Sequence, residues 1–283
     1  MNLINSSGLS IKLSHKISSR CKLGEGLFVK AGRSAWVDIC SKKVFLSDGV
    51  LLKTFATKDK PSIIYDVCEH EIILGLDAGL SIYSTLTKEE VILQKVSNMH
   101  DIKEYRSNDG GYCGSHQFLS FMHRVRPELN TGFVYRLSDD SWELIDDQLH
   151  IPNSFIEIEP SKILISDSLT GQVWIYTLSK SGAPIDKTLW AQLEPGIAPD
   201  GGCLVNDFVL IALWDAAAIG VFNRQGHEID RFLLPVLRPT NCKFDCTTSQ
   251  LWITSASEGL SKVQMSLYPH SGDTLVYDLA LRS

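Results

Sequence analysis

The sequence predicts an all-β fold, specifically a six-bladed β-propeller with four antiparallel strands in each blade. A short polar motif recurs six times along the chain, and an apolar segment follows each copy. Dividing 283 residues by six gives repeats of about 47 residues, a typical length for one propeller blade. Turn residues separate the runs of Val, Ile, Leu, Trp and Tyr. We therefore expect residues 1–283 to form a single propeller domain.

The six polar motifs are expected to lie at the innermost strand of each blade, next to one central channel. Polar residues that are far apart in the sequence can therefore meet at one site. In chain order the motifs are Gly24-Glu25-Gly26, Tyr65-Asp66-Val67, Asn108-Asp109-Gly110, Pro152-Asn153-Ser154, Pro199-Asp200-Gly201 and Pro239-Thr240-Asn241. The apolar segments, each expected to be a strand, are residues 35–39, 72–76, 118–122, 163–167, 209–213 and 251–255.

The two ends of the chain are expected to meet in the last blade. Residues 11–13 are predicted to pair there, because the strand-like run at 273–277 has few partners left after it. This pairing would close the ring and remove open sheet edges. Helical periodicity is absent over any useful length. Residues 87–96 are the one stretch that fits a short helix, but Glu89 and Glu90 fit a turn equally well, so no helix is predicted.

The composition is that of a soluble globular protein, with 44% hydrophobic and 21% charged residues. The formal net charge of −6 argues against a nucleic-acid partner, which would need a basic stripe. No apolar run reaches the ~18 residues of a membrane span. The first 20 residues lack the continuous apolar stretch of a secretory signal. We therefore expect no nucleic acid and no membrane among the partners.

The seven cysteines form an odd set without paired metal-ligand spacing. Cys242 and Cys246 are the closest pair, and their separation of four residues could bind zinc, but no second Cys or His pair lies nearby in the sequence. Thiols scattered through the core are the interpretation that this spacing favours. Free thiols indicate a reducing compartment, so the predicted location is the cytoplasm.

Three of the motifs carry an oxygen-bearing side chain next to Gly or Pro, namely Glu25, Asn153 and Asp200. Two carboxylates and one amide oxygen form a hard ligand set that suits Ca²⁺, Mg²⁺ or Mn²⁺. Three protein ligands would leave coordination positions for water and substrate, as a catalytic metal requires. On spacing alone, the alternative is that these residues only cap turns.

Five groups of motifs resemble, in the same order, those of the regucalcin and gluconolactonase (senescence-marker-protein-like) family of six-bladed propellers. The first two are Leu23-Gly24-Glu25-Gly26 with Trp36-Val37-Asp38-Ile39, and Arg106-Ser107-Asn108-Asp109-Gly110, which is similar to the family's Arg-x-Asn-Asp-Gly segment. The others are Asn153 with Asp167-Ser168, Pro199-Asp200-Gly201-Gly202 with Ala212-Leu213-Trp214, and Arg238-Pro239-Thr240-Asn241 with Thr254-Ser255-Ala256. The resemblance covers nearly the whole chain.

The resemblance implies one divalent metal ion held by Glu25, Asn153 and Asp200, with Ca²⁺ as the first choice and Zn²⁺, Mg²⁺ or Mn²⁺ as alternatives. It also implies that Arg106 and Asn108 hold the substrate beside the metal. The implied reaction is hydrolysis of a cyclic ester, usually a sugar lactone. Asp200 is then the candidate catalytic residue, either as a general base or by positioning the attacking water.

The sequence departs from the family pattern in the first and third repeats. Leu27 stands where the family usually has Pro, and Ser120-Phe121-Met122-His123 stands where Gly-Thr-Met is common. These bulkier residues predict a pocket that is narrower or more apolar than a sugar pocket. His123 is a third candidate substrate-binding residue, with a structural role as the alternative. Two other functions therefore stay open: a non-catalytic or regulatory calcium-binding propeller, and an esterase with a non-sugar substrate.

Overall fold

Six four-stranded antiparallel sheets build the ring seen in a computed structural model, which describes residues 7–48, 51–96, 103–139 and 141–281. The innermost strand of each sheet contacts the innermost strands of two neighbouring sheets, and these contacts run around a closed cycle. The protein is therefore a six-bladed β-propeller, as the sequence predicts.

The strands of each blade follow one another from the channel outward. Blades one to three contain β2 (Gly24–Lys30), β3 (Arg33–Asp38), β4 (Lys43–Ser47) and β5 (Leu52–Ala56); β6 (Pro61–Val67), β7 (Glu71–Leu76), β8 (Gly79–Ser84) and β9 (Glu90–Lys95); β10 (Tyr105–Cys113), β11 (His116–His123), β12 (Phe133–Ser138) and β13 (Ser141–Asp146). Blades four and five contain β14 (Pro152–Glu159), β15 (Lys162–Asp167), β16 (Gln172–Leu178) and β17 (Pro184–Gln192); β18 (Ala198–Val205), β19 (Phe208–Trp214), β20 (Ala218–Phe222) and β21 (Glu228–Leu233). Blade six contains β22 (Arg238–Asp245), β23 (Gln250–Ala256), β24 (Thr274–Leu281) and, outermost, β1 (Leu9–Ile17).

The predicted ring closure is confirmed, because β1 pairs antiparallel with β24. Ile11 lies opposite Leu279, and Leu13 lies opposite Tyr277. Strand β1 thus completes blade six, the blade that also contains β24. This arrangement ties the two ends of the chain together across a sheet.

The second strand of each blade carries much of the core. In β19, Val209 and Ile211 face the cluster between blades four and five, whereas Leu210 faces the cluster between blades five and six. All three side chains are fully buried. Successive side chains of a strand point to opposite faces, so an uninterrupted apolar run is required where a neighbouring blade covers each face. Among the described residues, one such cluster fills each of the six interfaces between blades.

Two local expectations are wrong. The motif predicted at Tyr65-Asp66-Val67 falls at the far end of β6, and the irregularity near the start of that strand contains Ser62 instead. A short helix that was not predicted, α1 (Lys262–Leu267), follows β23, whereas the stretch at 87–96 contains strand β9. Ser261 begins α1 with a capping box to Gln264, a local signal within the sequence. No helix in the described ranges is long and apolar enough to span a membrane.

Candidate active site

A cavity of about 770 Å³ opens where the innermost strands of several blades begin. Its polar lining includes Glu25 from β2, Arg106 and Asn108 from β10, Asn153 from β14, and Asp200 from β18. All three predicted metal ligands and two of the three predicted substrate-binding residues therefore line one cavity. These five side chains are called the polar floor below.

The polar floor lies beside irregularities in the pairing of first and second strands. The pairing shifts by one residue after Glu25, after Ser107, after Asn153 and after Pro199. Such bulges bend a strand and redirect its side chains. Gly26 follows Glu25 with a φ of +59°, and a Cβ there would lie 2.5 Å from the carbonyl oxygen of Ser62. Glycine is therefore required at this turn of the backbone.

Glu25 and Asp200 form a buried carboxyl pair, with side chains only 6% and 5% exposed. Burial raises the pKa of Glu25 well above its ordinary value, and the negative charges of Asp200 and Asp109 raise it further. Burial also raises the pKa of Asp200, and Asp109 adds to that rise, while Arg106 and a hydrogen bond with Glu25 oppose it. Two carboxyl groups so close together favour either a shared proton or a bound cation.

A chain of hydrogen bonds fixes the amide and guanidinium groups of the polar floor. The Arg106 guanidinium donates to Asn108 Oδ1 at 2.8 Å, and Asn108 Nδ2 donates to Asn153 Oδ1 at 3.0 Å. Asn153 Nδ2 in turn donates to Ser168 Oγ at 2.8 Å. Because its nitrogen is held by Ser168, the Asn153 side chain presents its oxygen toward Asn108, on the cavity side.

Asp109 supports the site from behind rather than lining it. Its carboxylate accepts a hydrogen bond from the backbone N–H of Ser154 at 3.1 Å, which fixes the chain next to Asn153. Burial raises the pKa of Asp109 to about 6, although Lys243 and several backbone N–H groups oppose the rise. The backbone N–H of Asp109 donates to Ser120 Oγ at 3.1 Å. The serine in the altered third-blade strand therefore helps to hold Asp109 in place.

His123 lies apart from the polar floor and is not among the residues that line the cavity. Its Nδ1 accepts hydrogen bonds from the backbone N–H groups of Val125 at 3.2 Å and Arg126 at 3.0 Å. Its ring also meets Tyr105 edge to face, with 5.3 Å between ring centroids. The geometry supports the structural alternative for this residue, not the predicted substrate contact.

The cysteines do not form the zinc pair that the sequence left open. Cys242 is buried in β22 with its Sγ 4.0 Å from that of Cys203, whereas Cys246 is exposed beyond the strand. All seven cysteines lie in the described ranges and are free thiols. Cys68 is also exposed, so only some of the thiols lie in the core, and the prediction of core thiols holds in part.

Sequence reasoning missed the walls of the cavity. The apolar lining includes Leu23, Met122, Ile151, Leu193, Ile197 and Trp214. Trp214 is held by the Arg238 guanidinium, which stacks 4.8 Å from its ring centroid and pairs with Asp215 at 2.6 Å. Met122 belongs to the third-blade strand for which a more apolar pocket was predicted. The other wall residues come from strand ends and connecting segments, where no periodic pattern marks them.

The donor set of the polar floor fits a hard divalent cation. Within the described ranges, no group of three His, Cys, Asp or Glu side chains is placed to hold a metal ion. The predicted set instead combines two carboxylates, Glu25 and Asp200, with the amide oxygen of Asn153. Oxygen ligands of this kind suit Ca²⁺, Mg²⁺ or Mn²⁺. Burial is the largest cause of the raised pKa of both carboxyls, and a bound cation would offset that cost.

Comparison with known sequences decides the family. The family model for the SMP-30/gluconolactonase/LRE-like region matches residues 23–257, which include the whole polar floor. The chain belongs to this family. The resemblance found in the sequence motifs is thereby confirmed. One relative, an L-arabinolactonase from Azospirillum brasilense, is 29% identical over 235 residues, covering 80% of this chain and 73% of the relative.

Members of the family and other propellers share the fold at low sequence identity. Regucalcin from Agrobacterium tumefaciens, a calcium-binding protein, superposes with a TM-score of 0.85 at 20% identity, over 95% of this chain and 94% of that chain. A gluconolactonase from Xanthomonas campestris superposes with a TM-score of 0.70 at 14% identity, over 95% of each chain. At such sequence identities the structural likeness shows a common fold alone.

Proposed function

We propose that this protein is a divalent-metal-dependent lactonase, an enzyme that opens a cyclic ester to the hydroxy acid. The convergence of Glu25, Asn153 and Asp200 in one cavity is the observation that carries the proposal. Family membership and the relative named L-arabinolactonase support the lactonase reaction, and that name makes sugar lactones one class of candidate substrate. The calcium-binding regucalcin neighbour supports a divalent ion, with Ca²⁺ as the first choice.

Glu25, Asn153 and Asp200 are the residues that would hold the ion. When bound, a divalent cation polarises the ester carbonyl and stabilises the negative charge that develops on its oxygen. The buried setting of the two carboxylates strengthens this electrostatic effect, because little water competes for the charges.

Asp200 is assigned the proton-transfer role. Its carboxylate accepts a proton from the attacking water while the water oxygen forms a bond to the carbonyl carbon. The bond between that carbon and the ring oxygen then breaks, and the proton passes to the departing ring oxygen. One water molecule is consumed, and a single hydroxy acid is formed. In the metal-free protein burial raises the pKa of Asp200, so its carboxylate is a stronger base than that of an exposed aspartate.

Arg106 and Asn108 are assigned to substrate binding. One guanidinium nitrogen of Arg106 donates to Asn108 and to the carbonyl oxygen of Ser107 at 3.0 Å. The other guanidinium nitrogens supply donors for the substrate, in a planar and fixed geometry. Burial lowers the pKa of Arg106, while the charges of Asp77 and Glu25 oppose that effect. Arginine stays protonated in proteins, so the positive charge remains available to an oxyanion or carboxylate product.

A lactone panel tests the proposal directly. Chelator-stripped protein should hydrolyse none of the lactones at a useful rate, and addition of Ca²⁺, Mg²⁺, Mn²⁺ or Zn²⁺ should restore activity with at least one of them. If chelated and metal-loaded protein behaved alike on aldonolactones and on simple γ-lactones, metal-dependent hydrolysis would be refuted. Cation binding without turnover would instead favour the regulatory calcium-binding alternative.

A further inference from the structure

One side of the cavity presents an apolar surface next to the polar floor. Its residues, called the apolar wall below, are Ile151 just before β14, Leu169 in the turn between β15 and β16, and Leu193 and Ile197 in the segment between β17 and β18. Leu193 is buried, Ile151 and Ile197 are half-buried, and Leu169 is 43% exposed. The wall is therefore fixed at its base and open to a ligand at its rim.

Two polar side chains next to the apolar wall, Ser168 and Gln192, are already engaged by the protein. Ser168 Oγ donates to the carbonyl oxygen of Pro199 at 2.6 Å and accepts a hydrogen bond from Asn153. Gln192 Nε2 donates to the carbonyl oxygens of Thr170 at 3.0 Å and Gly171 at 3.3 Å. Glu194 lies at the exposed rim. A substrate hydroxyl placed directly against the four apolar wall side chains would find no polar partner on them, and burying an unpaired hydroxyl is unfavourable.

Other polar groups of the cavity remain available to a ligand. Arg106 has guanidinium donors beyond the nitrogen that bonds Ser107 and Asn108, and the Glu258 carboxylate also lines the cavity. A cavity of about 770 Å³ is several times larger than a single lactone ring. A ligand that fills it must therefore extend beyond the ring, and the apolar wall offers such a ligand a carbon surface.

We propose that the substrate is a lactone that carries an aliphatic substituent, with the ester at the polar floor and the substituent against the apolar wall. This inference rests on the proposed lactonase function and narrows it to a substrate class. Apolar contact along the wall would stabilise such a substrate in proportion to the carbon surface removed from water. The polyhydroxylated ring of a sugar lactone would gain no comparable contact there.

The test compares kcat/KM of metal-loaded protein for γ-butyrolactone, γ-hexalactone, γ-octalactone and D-glucono-1,5-lactone. We expect kcat/KM to rise about twofold to fourfold with each added methylene, as the burial of each group predicts. We also expect γ-octalactone to exceed the sugar lactone by at least about tenfold. A chain-length series that is flat, or a preference for the sugar lactone, would overturn the inference while leaving the lactonase proposal intact.

Matched variants locate the effect on the wall. Leu169→Ser and Ile197→Ser should each lower the ratio of kcat/KM for γ-octalactone to that for γ-butyrolactone by about threefold to tenfold. Leu189→Ser is the control, because Leu189 lies in β17 of the same blade, is 49% exposed, and does not line the cavity. For Leu189→Ser, the ratio of kcat/KM for γ-octalactone to that for γ-butyrolactone should equal the ratio of the unmodified protein. An unchanged ratio in both wall variants would contradict the placement of the substituent, and absence of hydrolysis with every lactone would refute the lactonase proposal as well.

Discussion

Blades five and two place different residues in the same setting, beside a bulge near the start of the innermost strand. In β18 the residue is Asp200, which is buried, faces a second carboxyl group, and has a raised pKa. In β6 it is Ser62, which is fully buried and donates to the carbonyl oxygen of Gly75 at 3.4 Å. Both strands pack against an apolar second strand of the same kind. The architecture therefore accepts either residue, and the chemistry depends on which blades carry a side-chain oxygen that lines the cavity.

The largest expected effect is on blade five. Asp200→Asn should lower kcat/KM for lactone hydrolysis by about 100-fold or more, because loss of a general base alone has that size. The fold should persist, since a neutral amide removes the repulsion between Asp200 and Glu25. Steady-state kinetics and thermal melting of the chelated variant measure the two effects. Activity within a few-fold of the unmodified enzyme would show that Asp200 does not have the assigned role.

Arg106→Ala should raise KM about tenfold, with a smaller fall in kcat, because the guanidinium binds substrate in both the ground and the transition state. Arg106→Lys should give an intermediate KM, since it keeps the charge but loses the planar set of donors. Saturation kinetics on one good lactone separate the two parameters. A loss confined to kcat would instead place Arg106 at the reacting carbonyl.

The stability of the metal-free protein should fall as pH rises above the ordinary carboxyl range. Burial raises the folded-state pKa of Glu25 and Asp200, so the folded protein binds protons that the unfolded chain releases. Their contribution to stability is present at low pH and is lost as pH rises through the raised values. Melting temperatures measured with chelator between pH 5 and pH 8 should show this decline. Ca²⁺ should restore more stability at pH 8 than at pH 5.

Glu25→Gln is the control for that pH series. Because the amide does not titrate, the variant should show a flatter decline in the presence of chelator and a smaller gain from Ca²⁺. A decline as steep as that of the unmodified protein would assign the effect to other groups, with Asp109 the first to examine because its pKa lies near 6.

The smallest effect is expected in blade two. Ser62→Ala should leave kcat/KM within about twofold, because the Ser62 hydroxyl is bonded to backbone rather than presented to the cavity. Loss of that hydrogen bond should destabilise the protein by only about 0.5–1.5 kcal/mol. Denaturant unfolding measures the change. A large loss of activity in Ser62→Ala would erase the contrast between blades two and five.

Periodicity and motif order were sufficient to predict the ring. The apolar second strands recur because a blade must be covered on both faces, and this requirement is visible in sequence as a run such as Val209-Leu210-Ile211. The closure by β1 followed from counting strands in the last blade. The glycine and proline residues next to Glu25, Asn153 and Asp200 could be recognised in the sequence because bulges need particular backbone conformations.

Other features depend on contacts between residues that are distant in the sequence, which no local sequence pattern indicates. Tyr65-Asp66-Val67 is the predicted motif of the second repeat, whereas the bulge near the start of β6 contains Ser62, which lies outside that motif. His123 ends a strand near the predicted substrate side, but only the structure shows that its Nδ1 accepts hydrogen bonds from the following turn. The apolar wall combines a turn of blade four with the segments on either side of that blade, and these come together only when β14 to β17 form one sheet.

Cation binding by the polar floor is the central claim, and calorimetric titration of Ca²⁺ into chelator-stripped protein tests it most directly. The unmodified protein and Ser62→Ala should each bind one ion per chain. Glu25→Gln, Asn153→Ala and Asp200→Asn should each bind at least about tenfold more weakly, since the two amide substitutions each remove a negative charge from the ligand set and Asn153→Ala removes an oxygen ligand. Equal affinity in all three ligand variants and the unmodified protein would contradict the claim.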